Sequence, residues 1–242
     1  MGANAQIAVP AFTTGQVLTA TQQTQINTGI PVFATTVTRD AAFGGTGEKT
    51  LAEGQFAYIE ATDTTQYYNG SAWQTVGGGL TLIKSQTITP GVSSVAVTDV
   101  FSATYEQYQI SVSNVQTSGT GAWLAIQLGS AVTGYYGSLA TANYSAGSFV
   151  GAGNFSNTST FQYCFAISDP ATNLNGGSVI VTNPFATKRT TINGFVTFLS
   201  PSGYAGTVGG YQNSDTSFTG FTLIPATGTI TTGNISVYGL AR

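Results

Sequence analysis

The stretch AWLAIQLG, residues 122–129, alternates: Leu124, Ile126 and Leu128 fall on one face, Trp123, Ala125 and Gln127 on the other. A period of two is that of a strand, whose successive side chains leave on opposite sides. FQYCFAIS, residues 161–168, repeats it, with Phe161, Tyr163, Phe165 and Ile167 set against polar or small neighbours. From residue 80 onward further runs read the same way: LTLIKSQTI, VSSVAV, YQISVSNV, GSVIVTN, TINGFVTFL, SFTGFTLIP and NISVYGL. Turn-rich breaks such as TSGTG, SDPATNLNGG and SPSGYAG separate them. Many short strands with no convincing helical period indicate an all-β antiparallel sandwich of jelly-roll type over residues 80–242. No fixed repeat is present, which disfavours a propeller or solenoid.

Composition agrees with a packed chain and limits its partners. Hydrophobic residues make up 41% of the 242, enough for a core, but charged residues only 6%, against roughly 25% in ordinary soluble proteins. A surface wetted by hydroxyls and amides suits assembly or a neutral ligand such as a glycan. With a net charge of −3 and Lys188-Arg189 as the one adjacent cationic pair, nucleic acid has no electrostatic footprint here. No apolar run is long enough to span a membrane. The N-terminal residues lack the basic and apolar regions of a signal peptide.

Residues 55–79, QFAYIEATDTTQYYNGSAWQTVGGG, are different in kind. Seven of the chain's fifteen charged residues fall between Arg39 and Asp63. FAYIEA alternates, TDTT turns at Asp63, QYYN with Tyr67 and Tyr68 returns, Asn69-Gly70 turns again, and SAWQTV with Trp73 follows. Asn-Gly favours a hairpin because both residues tolerate positive φ. The expectation is a small meander over residues 38–79, its apolar side formed by Ile59, a tyrosine and Trp73, and ended by a triple glycine that marks a domain boundary. Residues 1–37 read as a lead-in for attachment. It contains a short helix that Thr19 caps and Gly29 ends, followed by PVFATTV as a strand.

The chemistry-bearing residue types are sparse. Without histidine there is no Ser-His-Asp triad or imidazole metal site, and no cofactor or metal is expected. FGGTGEKT, residues 43–50, resembles a phosphate-binding loop, but Glu48 intrudes before Lys49 and would repel an anion. The acids after residue 80, Asp99, Glu106, Asp169 and Asp215, fall at strand ends or in turns, so no enzyme is expected. Cys164 reads as a small buried apolar residue. Tyr135, Tyr136, Tyr144, Tyr204 and Tyr211 lie beside glycines, serines or asparagines. Such rings in polar loops suit stacking on sugars or partner contacts; the alternative is packing on the sandwich ends or between subunits.

The stretch TRDAAF…EG…YIE…DT…YYNGxxW, carried by Arg39, Asp40, Glu53, Gly54, Tyr58, Glu60, Asp63, Thr64, Tyr67, Tyr68, Gly70 and Trp73, resembles a small module common in tailed-bacteriophage virion proteins. The lead-in resembles the segment that often precedes it. The ending FTLIPATGTITTGNISVYGLAR resembles the close of β-sandwich domains at the tips of phage fibres. This resemblance implies a structural protein of the virion: a short-fibre or receptor-binding protein, homotrimeric, attached to other virion proteins by its N-terminal part and presenting a sandwich to a host-surface glycan. The alternative it allows is a capsid decoration or head-fibre protein.

Overall fold

The computed structural model describes residues 6–26, 29–46, 48–77, 79–119, 123–144, 149–167, 175–198 and 203–240. The chain divides into two compact units, Met1–Gly78 and Gly79–Arg242, each with its own apolar cluster.

The small unit contains α1 (Ala20–Ile26), β1 (Val32–Phe33), α2 (Thr36–Asp40), β2 (Phe56–Ile59), β3 (Thr64–Tyr68) and β4 (Trp73–Thr75). Thr19 caps α1: its hydroxyl accepts from the Gln22 amide at 3.2 Å, while Gln22 Oε1 accepts from the Thr19 amide at 3.0 Å. This reciprocal pairing satisfies two of the donors that a helix start leaves open. β2, β3 and β4 form the expected antiparallel meander. β1 extends it, running parallel to β2. Val9, Phe33, Ala42, Ala57 and Ile59 are buried beneath it, with Phe43 and Trp73 packed against them.

Two expectations need correction here. PVFATTV is a strand only over Val32–Phe33, because Thr35 then caps α2, with a capping box to Thr38. The boundary placed at 37/38 therefore falls inside a helix, and the lead-in and meander share one sheet. At the second turn, only Gly70 takes a positive φ, +90°. Asn69 instead turns the chain with its side chain: Oδ1 accepts from the Ser71 and Ala72 amides at 3.0 and 2.8 Å.

The large unit is a β-sandwich. Its strands are β5 (Leu80–Thr87), β6 (Val95–Val97), β7 (Gln107–Thr117), β8 (Trp123–Leu128), β9 (Tyr135–Asn143), β10 (Phe149–Thr158), β11 (Phe161–Ala166), β12 (Asn175–Thr182), β13 (Thr190–Phe198), β14 (Tyr204–Gln212), β15 (Phe221–Pro225) and β16 (Ile230–Leu240). Eight form one sheet in the order β10-β9-β14-β13-β12-β7-β16-β5, and four form the other, β11-β8-β15-β6. Neighbouring strands pair antiparallel in both sheets. The inward residues of both, among them Tyr108, Ile110, Leu124, Ile126, Leu128, Phe161, Phe165, Ile192 and Val237, make a single core.

Every strand run read from the sequence is a strand here. β9, β10 and β14 are additional. Their sequences, such as YYGSLATAN and YAGTVGGYQ, are too rich in small residues to show a hydrophobic period. They compensate by close approach. A Cβ on Gly137 would lie 2.4 Å from both the Gly209 carbonyl oxygen and the ring of Phe155. The missing side chain is what lets buried Phe155 reach the core.

Candidate functional site

The five tyrosines do not form one site. Tyr135 is the first residue of β9 and faces inward, fully buried. Its ring meets Phe161 edge-on at 4.8 Å. Its hydroxyl accepts from the Leu128 amide at 2.7 Å and is 3.2 Å from the Ala131 carbonyl oxygen, to which it donates. Burial pushes its phenol up to about 12. The expectation that Tyr135 sits in a flexible binding loop is therefore wrong: the glycine before it ends a turn, and the strand begins at once.

Tyr136, one residue on, points outward and stacks on Tyr211 of β14, with ring centroids 5.3 Å apart and planes 15° from parallel. The Arg189 guanidinium lies 5.8 Å from the Tyr211 centroid. Tyr144 lies past the other end of β9, more than half exposed, and its hydroxyl donates to the Tyr204 carbonyl oxygen at 3.2 Å. The Tyr211↔Tyr136 and Tyr204↔Asn143 pairs are seven residues apart along β14, so the two groups are separated by about 23 Å at ~3.3 Å per residue. The tyrosines are fixed strand and strand-end residues.

In the small unit, the residues of the sequence motif serve the fold. Buried Arg39 places its guanidinium 4.6 Å over the Trp73 ring. It donates to Asp40 Oδ1 from Nε at 2.9 Å and Nη2 at 2.7 Å, and to the Gln66 side chain from Nη1. Tyr68 stands 5.6 Å from Trp73. Tyr67 packs outward beside Phe56, ring to ring at 6.4 Å. Asp63 takes a positive φ, +54°, in its turn and accepts from the Tyr58 hydroxyl, which raises that phenol's pKa. At the phosphate-loop lookalike, the Gly45 amide donates to Glu48 Oε2 at 2.8 Å and Lys49 Nζ to Gln55 at 2.6 Å. The loop's own carboxylate thus sits where a phosphate would. Asp169 lies outside the described residues. Cys164 is buried, and burial pushes its thiol up, which removes thiolate chemistry at neutral pH.

Two places passed over in the sequence stand out. One is an open cleft of about 750 Å³ at one end of the sandwich, lined by Tyr105, Glu106, Asn183, Phe185, Lys188 and Ser217 among others. Its walls are held in place. Tyr108 Oη accepts from the Ser102 amide at 2.8 Å and donates to the Ser102 carbonyl at 2.7 Å. The Asn183 amide donates to the Glu106 carbonyl at 2.7 Å, and Ser217 Oγ to the Phe185 carbonyl at 2.5 Å. Two aromatics, a carboxylate, an amide and an ammonium on one rigid wall can stack on and hydrogen-bond a polar ring.

The other is the outer face of the eight-stranded sheet. The one charged residue in its strands is Lys84, whose ammonium donates to the Thr98 carbonyl at 2.9 Å. Phe195, Leu82, Leu80 and Tyr211 are exposed on this face by 60, 54, 48 and 39%. Neither place had a sequence signature: the cleft joins residues some 80 positions apart, and Phe195 is merely the outward partner in an alternating strand.

Comparison of the chain with protein-family models, curated proteins and solved structures returns no match.

Proposed function

We propose that this chain is a structural protein of a tailed-bacteriophage particle, a short-fibre or receptor-binding protein working as a homotrimer. Its small unit attaches to the particle and its sandwich meets a glycan of the host surface. The observation that carries this reading is the small unit. Arg39, Asp40, Tyr68 and Trp73 of the virion-module pattern come together, with Arg39 held between Asp40, Gln66 and the Trp73 face, while Tyr58 and Asp63 fix a turn and Tyr67 packs on Phe56. Residues serving only as the frame of a compact unit suit a connector reused between different partners. The cleft lined by Tyr105, Glu106, Asn183 and Phe185 is where a sugar ring finds aromatic faces and hydrogen-bonding groups together.

Antibody raised against the chain, applied to purified particles and viewed by electron microscopy, tests this. Label at the tail end is the expected result. Label distributed over the capsid would replace it with the shell-decoration reading, and particles that carry no label would overturn both. For the glycan, Tyr105→Ala and Glu106→Gln should each lower adhesion of purified protein to host cells by tenfold or more. Unchanged adhesion would remove the cleft from the proposal.

A further inference from the structure

The outer face of the eight-stranded sheet combines three properties seldom found together on a surface meant for water. It is broad: eight strands about 4.8 Å apart and some nine residues long give a face of roughly 1,000 Å². A stable interface needs about 800 Å² from each partner. It is uncharged along its strands, since Lys84 turns its ammonium to a carbonyl beyond them. And it gathers the exposed large apolar residues of the sandwich's described strands: Leu80, Leu82, Phe195 and Tyr211. The pairing register sets Leu82 and Leu80 beside outward, half-buried Tyr238 and Leu240 at one edge, and Phe195, four strands and about 19 Å across the sheet from that edge, diagonal to outward Ile180. Between them stand uncharged Ser, Thr, Asn, Gln, Gly and Ala. Phe195 borders a hollow of about 620 Å³ floored by Gly176, Gly177, Gly194 and Val208. A projecting ring beside a glycine-floored hollow gives one face both halves of a contact.

We propose that copies of this chain associate through this sheet face, with Phe195 as the central anchor. A second copy is the occupant the face suits, because its strands present no outward charge and Arg189, against the Tyr211 ring at its margin, is a lone cation, so like faces repel little. Knob and hollow lie side by side on one face, so the face is self-complementary: two copies related by a two-fold axis each seat a ring in the other's hollow. Buried aromatic anchors near the centre of such a patch carry most of the binding energy. The inference goes beyond the proposed function: this two-fold contact is a separate interface from the homotrimer proposed there.

Sedimentation equilibrium of the full chain tests it. Wild type is expected as a closed oligomer of the 24.8 kDa chain. Phe195→Asp, and separately Leu82→Asp, should raise the dissociation constant at least a hundredfold. Val132→Asp, at an exposed loop residue, should not. Both positions are solvent-exposed in the single chain, and far-ultraviolet circular dichroism identifies any variant that misfolds. Phe195→Ala, which adds no charge, is expected to weaken association at least tenfold. If wild type is oligomeric and these variants leave its mass unchanged while Phe56→Asp in the small unit lowers it, the sheet-face inference fails and the trimer stands. A monomeric wild type overturns both, and particle labelling then decides the remaining reading alone.

Discussion

Tyr135 and Tyr136 are adjacent, yet one is framework and the other surface. Leu128 would lose the acceptor for its buried amide in Tyr135→Phe. That substitution should therefore cost about 1–3 kcal/mol in urea unfolding at pH 7. Tyr136→Ala should cost under about 1 kcal/mol, since it gives up one exposed stack. Tyr135 also makes an alkaline prediction. Its folded pKa, about 12, lies above the ordinary 10 of an unfolded chain. Between those values the unfolded chain has lost the proton and the folded one keeps it. The contribution of this tyrosine is thus complete below pH 10 and falls by about 1.4 kcal/mol per pH unit up to 12. Cys164 titrates in the same direction but in both chains, so the gap between wild type and Tyr135→Phe isolates the tyrosine. That gap should shrink from pH 10 to 12; stability curves that stay parallel would contradict the burial assigned to it. In the small unit, Arg39→Ala removes the cation over Trp73 and the partner of Gln66, and should cost about 2 kcal/mol. Asp40→Asn should cost under about 1 kcal/mol, because Asp40 is 59% exposed and water screens that pair. Trp73 fluorescence in a Trp123→Phe background reads both, and equal costs would show that the ion pair, not the ring contact, holds the guanidinium.

Strands β9 and β14 pair along their whole length with glycines facing each other, Gly137 opposite Gly210. A methyl at Gly137 would meet backbone and the Phe155 ring at 2.4 Å, so Gly137→Ala forces strand or ring to move. It should cost more than about 2 kcal/mol, a fall of roughly 4–8 °C in Tm for a domain of this size. Gly209 is the control, since its nearest neighbour to a new Cβ is 3.9 Å away; Gly209→Ala should change Tm by about 2 °C or less. Similar losses from both would mean that the pair is not closely packed. These strands also mark how far the sequence can be read. AWLAIQLG and its like are legible because large apolar residues recur every second position. YAGTVGGYQ is not, because its burial is supplied by Phe155 from another strand, and its glycines look like turns. The same misreading placed Tyr136 and Tyr211 in loops, although they stack across a sheet. Helix α2 was hidden by the β-branched Thr36, Val37 and Thr38, whose preference a capping box at Thr35 overrides. The motif residues were legible as a group, but their mutual contacts were not, since Arg39 and Trp73 meet only through the fold of the intervening chain.

At the scale of the molecule, the division at Gly78/Gly79 separates two cores of very unequal size. The small unit buries Val9, Phe33, Ala42, Ala57 and Ile59, two of them alanines. The sandwich buries a continuous layer contributed by all twelve of its strands or their flanks. Stability rises with the apolar area removed from water, and a unit below about 80 residues buries proportionately less of its surface. The small unit should therefore unfold first on heating, at a Tm at least 10 °C below that of the sandwich. Each unit holds one of the chain's two tryptophans: Trp73 lies against Phe43 and Tyr68 in the first, Trp123 against Tyr163 in the second. Trp123→Phe leaves the small unit as the sole indole reporter, and Trp73→Phe leaves the sandwich. The first chain should lose its native emission at the lower temperature and the second at the higher, with both steps visible as separate calorimetric peaks in wild type. Coincident transitions in the two single-tryptophan chains would mean that the cores unfold as one cooperative body, and a connector able to serve different partners independently of its sandwich would then have no thermodynamic basis.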